Sequence, residues 1–116
     1  MRRVARLLER AGEVDQPLQM TEANCAEVQY IVRRKDGDAA WEAVARELSA
    51  APIEFHAIDR RLADGAAHFK ARYRISLADA FAAALAKERN ASLVTGDREF
   101  RPLEKEIRIT WLHPPA

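Results

Sequence analysis

Apolar positions along this chain alternate between helical and extended spacing. Val4, Leu7, Leu8 and Ala11 recur every three or four residues, which predicts a helix over residues 2–12 with Gly12 as its stop. The run Pro17-Leu18-Gln19-Met20 predicts a short strand over residues 17–21. Thr21 then caps a helix to about Lys35, on which Ala23, Ala26, Tyr30 and Ile31 form one stripe expected to face the core. Asp36-Gly37-Asp38 is a turn. Asp38 is the expected cap of the next helix, whose inner face is Trp41, Val44, Ala45 and Leu48.

Pro52 breaks that helix, and residues 53–58 read as extended. Asp59 caps a helix to about Tyr73 with Leu62, Ala66 and Phe69 inward. Ser76 opens the most apolar helix, through Ala80, Phe81, Ala84 and Leu85, which Asn90-Ala91 closes. Ser92 to Thr95 is a short buried strand, followed by a turn or short helix after Asp97. Ile107, Ile109 and Trp111 alternate in a last strand. Helices alternating with strands define an α/β class, and 116 residues make one domain over 1–116.

Composition narrows the function classes. With 48% hydrophobic residues the chain can build a core. It contains no run of eighteen apolar residues to span a membrane, and Met1-Arg2-Arg3-Val4 lacks the apolar segment of a secretory signal. One cysteine, Cys25, excludes an internal disulfide, fits a cytoplasmic setting, and reads as a small core residue. A net charge of +1 gives no strong overall field for nucleic acid. Local clusters at Arg2-Arg3, Arg33-Arg34-Lys35, Arg60-Arg61 and Arg72 with Arg74 are candidate phosphate contacts, although solvated helix ends are the simpler reading of any one of them.

Three carboxylates carry the candidate chemistry. In a doubly wound sheet Glu27, Asp79 and Asp97 would come together, and carboxylates gathered at one sheet edge repel one another unless a cation lies between them. Glu27 falls within the expected buried stripe, where a charge needs a partner; an arginine would serve as well as a metal. Ser76-x-x-Asp79 is also a capping-box pattern, and Asp97 also fits a helix N-cap. Gly96 is expected to turn the backbone sharply and bring Asp97 to the sheet edge. His56, His68 and His113 share no ligand spacing, and there is no Gly-rich phosphate loop and no Gly-x-Ser-x-Gly elbow.

Three stretches in order, Thr21-Glu22-Ala23-Asn24-Cys25-Ala26-Glu27-Val28, Tyr73-Arg74-Ile75-Ser76-Leu77-Ala78-Asp79-Ala80 and Ala91-Ser92-Leu93-Val94-Thr95-Gly96-Asp97-Arg98-Glu99-Phe100, resemble the PIN domain, and in particular the VapC-type toxins of bacterial toxin–antitoxin pairs. The resemblance runs over nearly the whole chain. It implies a three-layer α/β/α fold with a mostly parallel central sheet, and a ribonuclease dependent on Mg²⁺ or Mn²⁺. Glu27, Asp79 and Asp97 correspond to catalytic, metal-holding acids of the family. Thr95 corresponds to its small hydroxyl residue and Asn24 to a polar residue ahead of the glutamate; with Arg98 these are the expected substrate contacts. An RNA substrate, a cognate antitoxin, a homodimer and a cytoplasmic location follow from the same resemblance.

The family opens with a strand carrying its first acid, in a pattern like Leu-Asp-x-Ser or Leu-Asp-x-Thr, which this sequence does not contain. The expectation is a chain short of that strand by roughly 20 to 30 residues, judged from ordinary element lengths. Asp15, in a turn ahead of the strand at Leu18, does not replace the acid. A second copy or a partner would fill the gap, or the chain is a PIN remnant without catalysis that binds an antitoxin or RNA. Residues 38–50 and 59–73 could furnish a dimer face through Trp41 or Phe69, although ordinary core packing is the simpler reading of each.

Overall fold

The computed structural model describes residues 18–112, so the helix expected over residues 2–12 lies outside the described part. The chain divides into two compact units after Ala57, and each is described by itself.

In the first unit, strand β1 (Leu18–Thr21) leads into helix α1 (Glu22–Asp36), helix α2 (Asp38–Ala50) and strand β2 (Ile53–His56). The two strands pair in parallel, Leu18 opposite Ile53 and Thr21 opposite His56. A parallel pair needs a crossover, and the helical hairpin supplies it. Thr21 is the hinge between strand and helix. It is fully buried, and its hydroxyl accepts the Asn24 N–H at 3.1 Å, satisfying one of the free donors of the first helical turn.

Two expectations for this unit are corrected. No residue of α1 is buried, and Tyr30 and Ile31 are 52% and 42% exposed, so the stripe with Ala23 and Ala26 is not a core face among the described residues. Arg34 lies over the Tyr30 ring, 5.6 Å from its centroid, and so covers one face of it. Asp38 is not the cap of α2. Gly37 holds that position with φ +93°, a conformation that only glycine adopts freely, and its N–H closes α1 on the Arg33 carbonyl. Asp38 begins the helix proper and faces the Arg33 guanidinium at 3.8 Å. Trp41 is buried, with Val44, Ala45 and Leu48 half-buried beside it in sequence, as the helical spacing predicts.

The second unit comprises helix α3 (Arg60–Arg72), helix α4 (Leu77–Glu88), strand β3 (Ser92–Thr95), a 3₁₀ segment over Arg98–Lys105 and strand β4 (Arg108–Trp111). Asp59 caps α3 through the Leu62 N–H and Ser76 caps α4 through the Asp79 N–H. Strands β3 and β4 are parallel, Ser92 opposite Arg108 and Thr95 opposite Trp111. The core collects Leu62, Ala66 and Phe69 of α3, Ala80, Ala83, Ala84 and Leu85 of α4, and Ile75, Phe100, Leu103 and Ile107 from the connections. Ile109 and Trp111 pack against it from β4, confirming the alternation seen in the sequence. A Cβ on Gly65 would stand 3.0 Å from the Ala84 Cβ, so α3 and α4 approach closely where both side chains are smallest. Trp41 and Phe69 are both buried, so neither offers a dimer face. The α/β class with parallel pairing is the one the sequence predicts.

Candidate metal centre

The site grows from the carboxyl end of β3. Past Thr95 the chain turns through Gly96, and Asp97 caps the 3₁₀ segment by accepting the Glu99 N–H on Oδ1 at 2.9 Å. The Thr95 hydroxyl accepts the Asp97 N–H at 3.1 Å and closes the turn from the other side. Gly96 does not use a left-handed backbone, because Gly37 is the glycine of positive φ among the described residues. The threonine hydroxyl shapes this bend, not the freedom of the glycine.

Asp79 reaches the same place from a helix. Its N–H donates to Ser76 Oγ at 3.1 Å, which fixes the first turn of α4. One carboxylate oxygen from each of Asp79, Asp97 and Glu99 then lies within 4.8 Å of the other two. Asp79 is half-buried, while Asp97 and Glu99 are exposed. Asp97 is therefore both an N-cap and a member of the trio. A carboxylate has about four lone-pair directions, so the cap bond leaves acceptor capacity for a cation.

The donor set fits a hard divalent ion. All three groups offer oxygen, which Mg²⁺ and Mn²⁺ prefer. Ligands on opposite sides of one Mg²⁺ stand about 4.2 Å apart, since each bond is about 2.1 Å. Oxygens that all lie within 4.8 Å of one another need only side-chain adjustment to close on such an ion. Glu99 was not among the acids expected from sequence. The available signal was its place two residues after Asp97, with the buried Phe100 next to it fixing which way that turn faces.

The remaining expected residues are placed as follows. Arg98 is exposed on the first position of the 3₁₀ segment, between the two acids in sequence. Glu27 belongs to the first unit, half-buried on α1. Asn24 belongs to the same helix, and its Oδ1 lies 2.5 Å from the Thr21 hydroxyl that caps it. Cys25 is half-buried; desolvation first, and then the charge of Glu22, push its thiol pKa up, which keeps it protonated and suits a packing role.

A second polar cluster lies away from the trio. Glu106, at the end of the 3₁₀ segment, takes three partners: His68 Nε2 and Lys87 Nζ lie 2.9 and 3.2 Å from Oε1, and the Tyr73 hydroxyl donates to Oε2 at 2.5 Å. An ionised carboxylate only accepts, so His68 Nε2 is the donor of this pair. These bonds, that from Tyr73 foremost and that from His68 next, hold the Glu106 carboxyl at a pKa of about 2.

Comparisons with known proteins bear on the family and the fold. The PIN domain family matches residues 1–106, and the chain belongs to that family. Among solved structures, the chain is similar to a crystal structure of VapBC2 from Rickettsia felis bound to a DNA fragment from its promoter. The TM-score is 0.74 at 19% sequence identity, over 91% of this chain and 82% of that one. This shows the PIN-like α/β fold expected from the sequence. No curated protein matches the sequence.

Proposed function

We propose that this PIN protein is a divalent-metal-dependent endoribonuclease of the VapC type, acting as a single domain over residues 1–116 and held in check by an antitoxin. The observation that carries the reading is the convergence of Asp79, Asp97 and Glu99 at the carboxyl end of β3, where α/β sheets present their ligand sites. Membership of the PIN family supports metal-dependent nuclease chemistry. The partner is proposed by analogy with the VapBC2 assembly.

Asp79, Asp97 and Glu99 would hold Mg²⁺ or Mn²⁺, and Glu27, on α1 of the first unit, is proposed as a further catalytic acid. The bound ion would supply Lewis-acid stabilisation of the phosphate and a water acidic enough to act as the nucleophile. Thr95 and Ser76 keep the backbone of Asp97 and Asp79 in place, so the acids are pre-organised before substrate arrives. Arg98, exposed beside the trio in sequence, is assigned to a substrate phosphate, whose charge grows in the transition state. Asn24 is assigned to the substrate side of Glu27. A homodimer and a cytoplasmic location complete the proposal. Among the described residues no helix is long and apolar enough to cross a membrane.

Titration with Mn²⁺ followed by calorimetry tests the site. Asp97→Asn and Asp79→Asn should abolish tight binding without loss of fold, because asparagine caps as well as aspartate at position 97 and at position 79 the bond to Ser76 Oγ comes from the backbone N–H. Either variant binding Mn²⁺ as tightly as the parent would overturn the assignment.

A further inference from the structure

We propose that Glu106 is a positioning residue for the acid trio: by drawing His68, Tyr73 and Lys87 onto one carboxylate it fixes how far α4 stands along β3, and so holds Asp79 beside Asp97. The inference rests on the metal-site reading above.

Direction comes first. Strands β3 and β4 are parallel and start together, Ser92 opposite Arg108. Glu106 lies two residues before β4 begins, at the starting edge of this pair, whereas Asp97 lies just past the finishing end of β3. Helix α4 bridges the two edges, with Asp79 in its first turn and Lys87 in its last. Eight helical residues span about 12 Å along the axis, so a helix fixed at Lys87 is fixed at Asp79 as well.

Packing alone specifies that axial position poorly. The buried residues of α4 are Ala80, Ala83, Ala84, Leu85 and Ala86. Alanine ridges are shallow, and the closest approach to α3 is between Ala84 and a glycine. Leu85 and the part-buried Phe81 are the larger contacts of this helix, and shallow alanine ridges add less to its axial register than large side chains would. Directional bonds at the helix end therefore set the register. The Glu106 carboxylate provides them to three places at once: His68 on α3, Tyr73 just after α3, and Lys87 on α4.

The charged surroundings are consistent with a fixed anchor. Lys87 Nζ also lies over the Phe69 ring at 5.9 Å, and Lys105 Nζ over the Tyr73 ring at 5.6 Å. Glu104 and Arg108 line the same shallow cavity as Lys87 and Glu106, and Arg72 acts on Tyr73 by its charge. The side chain of Glu106 is only 19% exposed, while that of Lys87 is 53% exposed, so the lysine can be truncated with little packing loss.

Metal ligands tolerate displacements of only a few tenths of an ångström, so loss of the anchor should register at the distant end of the helix. The test combines amide NMR of the metal-free protein with Mn²⁺ titration, on Glu106→Ala, Glu106→Gln and Lys87→Met. In Glu106→Ala the Asp79 amide resonance should move while those of Leu93 and Val94 stay, and Mn²⁺ affinity should fall several-fold. Glu106→Gln, which keeps an acceptor for Tyr73, should restore part of both. An unmoved Asp79 resonance, or unchanged Mn²⁺ affinity, in folded Glu106→Ala overturns the proposal. If Glu106→Ala does not fold, the same two readouts on Lys87→Met decide it. A parent protein that fails to bind Mn²⁺ overturns the metal-site reading alone, and the Asp79 resonance then decides the anchor.

Discussion

The Thr95 hydroxyl accepts the backbone N–H of Asp97 at 3.1 Å, closing from one side the turn that Asp97 closes from the other by capping Glu99. The last residue of β3 thereby sets the place of the first acid beyond it. Replacing Thr95 with valine keeps the shape and removes the acceptor. Thr95→Val should lower Mn²⁺ affinity by about 10-fold, the lower end of what outer partners of metal ligands contribute. Thr95→Ser should retain affinity. Calorimetric titration of both variants checks this, and equal affinity in Thr95→Val would remove the hydroxyl from the account.

The caps carry stability separately from the site. Asp59 accepts the Leu62 N–H at 2.9 Å and starts α3, whose inner residues Leu62, Ala66 and Phe69 are core. Asp59→Ala should cost ~1 kcal/mol, as N-cap truncations do, with no change in metal binding. Ser76→Ala should cost a similar ~1 kcal/mol but also weaken Mn²⁺ binding, because Ser76 holds the turn that carries Asp79. Urea denaturation and Mn²⁺ titration of the two variants separate the effects.

Close approach of α3 and α4 leaves no room at Gly65. A Cβ there would meet the Ala84 Cβ at 3.0 Å, and the extra methyls of valine would push further into α4. Gly65→Val should destabilise the protein by roughly 1–3 kcal/mol, the ordinary cost of overpacking, despite removing a glycine from a helix. A midpoint of denaturation equal to that of the parent would show that the helices can part there without cost.

The Glu106 anchor contributes to the acid side of the stability profile. Its three donors hold the carboxyl at about 2, below the ordinary 4.5. A carboxyl with a depressed folded pKa contributes stability above its unfolded pKa, and loses it as pH falls through the folded one. The contribution should therefore be complete above pH 4.5 and disappear between 4.5 and 2. Tyr73 has the opposite sense. Its bond to Glu106, with desolvation and the charge of Glu106 adding, raises its pKa above the ordinary 10, so its contribution is present below 10 and lost at higher pH. Thermal melts of parent and Glu106→Gln across pH should differ at neutrality and converge toward pH 2. Curves that stay parallel to that limit would contradict the assignment.

Legibility in the sequence followed the range of the interaction. Thr21, Asp59 and Ser76 are caps whose partners lie three residues away, and all three could be read from local pattern. The four strands are foreshadowed by short apolar runs between helices, but which of them pair is not. Asp38 looked like another cap, but the positive φ of Gly37 took that position, and no one-dimensional pattern separates adjacent candidates of this kind. Tyr30 and Ile31 have core spacing and stand exposed, because periodicity shows which residues share a face and not what covers it. Asp79 is visible as an acid just after a helix start and Asp97 as one just after a strand end. Glu99 needed the turn geometry to be recognised, and the Glu106 cluster joins residues spread from 68 to 106, beyond any local signal.

Cleavage of a fluorogenic RNA in Mg²⁺ or Mn²⁺, run beside Asp97→Asn and an EDTA control, tests the central claim most directly. The parent should cleave the RNA and both controls should not, with Asp97→Asn still folded by circular dichroism. A folded, monodisperse parent that cuts no RNA with either ion, or an Asp97→Asn variant that cuts as well as the parent, would contradict it. The first of these results would leave the chain a PIN-fold binding module.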